Sequence, residues 1–190
     1  MKSSRSGETQ KIISAVWIAF AKYRNILKSN IPICLKRKLY HQCIEPVITY
    51  GCQVWALNRG MENKLRTTQR SMERAIINVT KRDHITNKQI REISSMTDII
   101  STIKKLKWSW AGHISRMKDK RWTQRTTEWM PIGYKRERAR PMTRWEDEII
   151  KFMGVTWNRT AHGSPAMPLA SGRAPGPRRT RHRARVRRHR

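Results

Sequence analysis

The sequence predicts a mainly α chain, an irregular helical bundle followed by a disordered basic C-terminal tail. Two observations carry this. Apolar residues recur at three- and four-residue spacing in successive runs between about residues 8 and 158. Beyond that point the composition changes to Pro, Gly, Ala, Ser and Arg without a single aromatic residue, too polar to bury a core and so expected to stay disordered.

Taken in order, residues 1–7 are expected to be a disordered start. Ile13, Val16, Trp17, Phe20, Tyr23 and Leu27 form the first stripe, with Lys11, Lys22 and Lys28 on other faces. Ser29 and Asn30 close that helix, and Pro32 suits the first turn of the next. Leu35, Leu39, Cys43 and Val47 then step by four, widened by Tyr40 and Ile44. Pro46 is expected to kink or end the helix, with Gly51 a further break. The stretch from Ile44 to Trp55 reads as helix then turn, an extended segment being the alternative. Asn58-Arg59-Gly60 reads as a loop, which closes a first helical segment at 8–60.

A second, basic helical segment, 61–130, opens with Leu65, Met72, Ala75, Ile76 and Val79 on one face. Arg66, Arg70, Arg74, Glu62 and Glu73 fall on others. Thr86 and Gln89 fit a capping box, and Asp98 is placed to cap the following helix. In that helix Leu106, Trp110, Ile114 and Met117 share a side. A basic linker at 131–140 precedes a terminal amphipathic helix at 141–158, opened by Pro141 or Thr143 and carrying Trp145, Ile149, Phe152 and Met153. The tail is 159–190.

Forty-two Lys and Arg against 13 Asp and Glu give a formal charge of +29, far outside the range of about 2–8 typical of small soluble domains. Such a chain repels itself unless it meets a polyanion, so RNA or DNA is the expected partner. Ten arginines lie from Arg159 onward; without them the body still carries +19. No apolar run approaches the ~18 residues of a membrane span, and no secretory leader pattern is present. A cytoplasmic or nuclear protein is expected, neither secreted nor bound to a membrane. Cys34, Cys43 and Cys52 form no C-x-x-C pair, so reduced, semi-buried thiols are expected rather than a zinc or redox site.

No phosphate-binding loop, nucleophile elbow or H-E-x-x-H pair occurs. Glu146-Asp147-Glu148 is the densest acidic run, but consecutive helical residues diverge by about 100° and cannot converge on two metals. They are expected to complement a helix N-terminus. No catalytic residue, metal ligand or cofactor is assigned to this chain. The informative tract is Lys104-Lys105-Leu106-Lys107-Trp108-Ser109-Trp110, where lysines and indoles together can hold a phosphate backbone and stack on bases. Trp110 shares a face with Leu106 and Ile114 and is expected in the core; Trp108 is the better candidate for exposed stacking. Arg116 extends the tract, and Lys135, Arg136, Arg138 and Arg140 form a second basic run. His113 is expected only to pack or hydrogen-bond.

The order of these segments resembles a known family. Tyr50-Gly51-Cys52-Gln53-Val54-Trp55 resembles the Y-G-x-E-x-W motif downstream of the palm in non-LTR, RTE-like retrotransposon endonuclease–reverse transcriptases. Gln69 through Met72-Glu73-Arg74-Ala75-Ile76 follows, then Arg82-Asp83-x-Ile85-x-Asn87-x-x-Ile90. Next come Lys105-Leu106-Lys107-Trp108-x-Trp110-Ala111-Gly112-His113-Ile114-x-Arg116 and Arg140-Pro141-x-x-Arg144-Trp145-x-Asp147-Glu148-Ile149. Each motif is weak alone; five in order over residues 8 to 161 are specific.

The resemblance implies a thumb-like, post-palm fragment that contacts template–primer RNA/DNA. The parent's endonuclease and its magnesium-binding palm aspartates have no matching positions here. It implies no enzyme activity for this chain alone, and the palm and fingers of the parent as a further partner. Gln53 departs from the acid of the motif, and Arg138-Ala139-Arg140-Pro141 from a more usual Gly-Arg-Pro. After Ala161 the family continues with a polar run resembling Q-D-R-x-x-W-x-x-L-G-E-A. Codons compatible with His162 to Arg173 yield a similar run in the +1 frame, so the tail is expected to be a frameshift product. The rival expectations are a non-functional retrotransposon remnant and an independent basic nucleic-acid-binding protein.

Overall fold

The computed structural model describes residues 4–117, 122–128, 144–154 and 156–159. Among them every regular element is helical: α1 (Ser4–Lys28), α2 (Ile33–Leu39), a π turn (Tyr40–Ile44), α3 (Glu45–Thr49), a 3-10 turn (Cys52–Val54), α4 (Arg59–Ile76), a second 3-10 turn (Lys81–Asp83), α5 (Asn87–Ser94), α6 (Ile99–Ser115), α7 (Trp122–Glu128) and α8 (Asp147–Met153). No helix among the described residues is long and apolar enough to cross a membrane. The linker at 131–140 and nearly all of the tail lie outside the described residues, whereas α1 already begins at Ser4, inside the stretch expected to be disordered.

α1 lies along α3 and α4, and α6 packs against α4 and the first 3-10 turn. The larger core joins Val16, Phe20 and Leu27 of α1 to Tyr40, Ile44 and Ile48, to Leu65, Met72 and Ile76 of α4, and to Ile99, Ile100 and Ile103 of α6. Residues on both sides of position 60 therefore share one apolar centre. Each such side chain contributes on the order of 1.5–3 kcal/mol by leaving water. A smaller cluster joins Trp108 and Ala111 of α6 to Ile149 and Trp157, with Trp145 against it.

The predicted second stripe is displaced by one residue. Leu35 is 52% exposed, and the buried line runs instead through Lys36, Tyr40, Ile44, Ile48 and Cys52. The offset is already present at Leu35 and Lys36 in α2, ahead of the π turn, where the Lys36 ammonium reaches inward to the Ile76 carbonyl. The π turn, which holds an extra residue in one turn of helix, precedes Pro46, which has no N–H for an ordinary helical bond and sits in the first turn of α3. In α1, Trp17 is 38% exposed and does not join the core stripe.

Helix ends follow local chemistry. Asn58 accepts from Met61 N at 2.8 Å and opens α4 two residues before the predicted loop ends. At the other end Asn78 takes a left-handed φ of 57°, and Val79 N reaches Arg74 O at 2.9 Å, a Schellman closure. The freed carbonyl of Ile76 accepts from the Lys36 ammonium at 3.1 Å, a cation at the negative end of the helix. The Thr86–Gln89 capping box is present. Asp98 precedes α6 but makes no side-chain cap. Gln69 Oε1 accepts from Ile99 N at 3.0 Å instead, while Gln69 Nε2 donates to Thr97 O at 2.7 Å.

Candidate nucleic-acid interface

α6 begins at Ile99 and is clasped on two sides, by the main core and by α8. This wide burial corrects two expected contact residues. Lys107 is fully buried and Trp108 is 7% exposed, packed with Ala111, Ile149 and Trp157. Neither side chain is presented to a phosphate or a base in this arrangement. Trp110, expected in the core, is half-buried and stacks on His113 with ring centroids 5.5 Å apart. Periodicity alone assumed one packed face, whereas α6 has two.

Lys107 is stabilised locally. Its Nζ lies 3.2 Å from Glu148 Oε2 and 5.5 Å over the Trp145 ring. Burial pulls its ammonium pKa down, partly offset by the Glu148 carboxylate. Lys104 Nζ lies 3.2 Å from the other Glu148 oxygen and 3.6 Å from Glu62. Glu148 thus bridges both lysines, a role the sequence did not suggest. Asp147 and Glu148 lie in the first turn of α8, but no side chain caps that helix; the Asp147 carboxylate accepts instead from Arg144 N, ahead of the helix, at 2.8 Å. Trp145 Nε1 donates to Gln53 O at 2.6 Å; this contact uses the Gln53 main chain, so the Gln-for-acid departure leaves it intact.

Of the remaining expected residues, Lys105 and Arg116 are exposed on α6 and at its C-terminal end. Lys135, Arg136, Arg138 and Arg140 lie outside the described residues.

A second basic surface, not singled out from sequence, forms where α4 faces the 81–87 loop. Arg66, Arg70 and Arg74 are spaced by four and share a side of α4. Arg74 Nη2 donates to Ile85 O at 2.9 Å and Asn87 Oδ1 at 3.2 Å, fixing the loop to the helix. Thr80 and Asp83 close a capping box within the loop, and those bonds from Thr80 hold the Asp83 carboxyl below its usual range. His84 turns the chain with a φ of 51°. Behind the arginines lies Glu73, fully buried and paired with Arg70. Burial, with Asp98 nearby, pushes Glu73 up to about 7. Asp98 sits 2.7 Å from Arg91, 3.5 Å from Arg70 and 3.7 Å from Arg66. Glu73 was expected on an outer face; its burial beside Arg70 is the correction.

Among the described residues no cluster of three or more His, Cys, Asp or Glu is arranged to hold a metal ion. The cysteines are free, with Cys34 exposed and Cys52 buried.

The chain is 34% identical over 142 residues to a Caenorhabditis elegans protein described as an uncharacterized transposon-derived protein. The match covers 72% of this chain and 50% of the relative, so the chain spans about half the length of the curated relative it matches. This similarity fits a transposon-related origin. No protein-family model matches the chain, and no solved structure matches it.

Proposed function

We propose that this chain is the post-palm, thumb-like part of a non-LTR retrotransposon reverse transcriptase and that it holds template–primer RNA/DNA through basic helices, without a catalytic centre of its own. The observation that carries most weight is the 34% identity to a transposon-derived protein over 142 residues. The ordered motifs from Tyr50 to Ile149 narrow that origin to a reverse transcriptase, and the formal charge of +29 supplies the polyanion affinity.

Lys105 and Arg116, the partly exposed Lys104, and the basic run Lys135, Arg136, Arg138 and Arg140 are the contacts to phosphate. Such contacts fix the position of a duplex without reading its sequence. Polymer synthesis would belong to the parent's palm, where paired aspartates hold magnesium; this chain would supply grip.

The test is fluorescence anisotropy of the full chain with an RNA–DNA hybrid across a salt series. Log affinity is expected to fall linearly with log salt, by about 0.9 for each duplex phosphate neutralised. A flat salt dependence rejects nucleic-acid grip. Primer extension by the isolated chain is expected to be nil, and measurable synthesis would overturn the assignment of catalysis elsewhere.

A further inference from the structure

We infer that the cleft between α4 and the 81–87 loop is a seat for the phosphodiester backbone of a nucleic-acid strand. The inference rests on the nucleic-acid function proposed above but places the contact on residues outside those drawn from the sequence tract.

The cleft measures about 500 Å3, and its lining includes Arg66, Arg70, Arg74, Lys81, His84 and Asn87 with no carboxylate. Steps of four residues along α4 advance about 6 Å each, close to the separation of successive phosphates on a strand. The five basic side chains do different jobs. Arg70 and Arg74 are committed to Glu73 and to the loop, so they set the shape and add positive field. Arg66 is 44% exposed and only loosely held, 3.6 Å from Glu62 and 3.7 Å from Asp98. Lys81 and His84 are exposed. These three are the groups able to reach a phosphate oxygen. The Thr67 and Ser71 hydroxyls donate back to helix carbonyls at 2.8 and 3.0 Å, which leaves the cations as the donors.

Preorganisation distinguishes this cleft from a scatter of surface lysines. The Arg74 bonds to the loop, the Thr80–Asp83 box and the Thr86–Gln89 box fix its walls before a ligand arrives, which lowers the ordering cost of binding.

The experiment compares full-length variants with the same hybrid duplex. Arg66→Gln/Lys81→Gln removes two cleft cations; Arg24→Gln/Lys28→Gln removes two exposed cations of α1. Thr67→Glu adds a carboxylate to the cleft wall on a helix-compatible side chain without deleting a cation. Circular dichroism melts check that each variant remains folded. The cleft pair is expected to lose at least tenfold in affinity and to lower the salt slope by about 1.8, two contacts' worth. Thr67→Glu should also lose at least fivefold, and the α1 pair less than threefold.

Wild-type binding with equal losses in cleft and α1 variants overturns the seat and leaves the broader grip standing. Absence of wild-type binding overturns both. Inorganic phosphate binding at low millimolar concentration that the cleft variants weaken, with duplex affinity unmoved by them, identifies a small-anion site and overturns the strand assignment. Polyglutamate of matched charge competing as well as the duplex also overturns it.

Discussion

Glu148→Gln strips the partner from a buried ammonium. Lys107 is fully buried with its Nζ 3.2 Å from Glu148 Oε2, a gross attraction of about 5 kcal/mol at an effective dielectric constant of ~20. Desolvation cancels much of that in the intact pair, but a stranded buried charge costs about 3–5 kcal/mol. The molecule has a less costly escape. α8 can lift away, returning Lys107 to water and exposing Ile149 and Trp157, each holding about 1.5–3 kcal/mol of burial. The penalty should therefore appear as local opening of α8 worth about 3 kcal/mol, while the larger core melts at an unchanged temperature. Limited proteolysis near residues 144–159, with a red shift of tryptophan emission, reads the opening. Lys107→Met/Glu148→Leu should restore protection to within about 1 kcal/mol, since apolar replacement of a buried pair is often neutral. Opening also frees Lys104 and Lys107, so duplex affinity should rise. Unchanged protection in Glu148→Gln, with single-variant effects that add to within about 0.5 kcal/mol, would refute the clasp.

Glu73 gives stability a pH dependence. Its folded pKa of about 7 lies above its ordinary 4.5, so the folded state holds the proton more tightly. That contribution is full below about pH 4.5 and is lost as pH rises through 7. Wild type should lose about 1–3 kcal/mol relative to Glu73→Gln between pH 4.5 and 8, measured by urea unfolding at each pH; parallel curves would reject it. Thr86→Ala removes the cap of α5 and should cost about 1 kcal/mol in the same assay. Gln69→Ala leaves Thr97 O and Ile99 N without their partner and should cost about 1–3 kcal/mol, with faster amide exchange at Ile99.

The helical class, the α1 and α4 core residues and the Thr86 capping box were legible because each is local: spacing, or a cap within four residues. What could not be read was which neighbour covers a helix. Trp108 and Lys107 look like an exposed basic–aromatic pair until α8, some forty residues later, closes over them. Glu73 looks like a surface acid and Asp98 like a helix cap until three arginines from two helices, Arg66, Arg70 and Arg91, gather around them. Arg66, Arg70 and Arg74 were visible as a row, but the loop that faces them is brought there by bonds between residues eleven and more apart.

The π turn at Tyr40–Ile44 bears on how relatives of this chain should be compared. A gap of one residue there would not be a shortened loop. It would give a continuous α-helix in which Lys36 and Ile48 point in directions about 100° apart from their present relation, so the Ile76 carbonyl and the apolar centre could not both keep their partners. Pro46 would then fall inside an uninterrupted ladder and break it. A homologue lacking that residue is expected to lack the proline too, the two changes being coupled through the helix they would otherwise break.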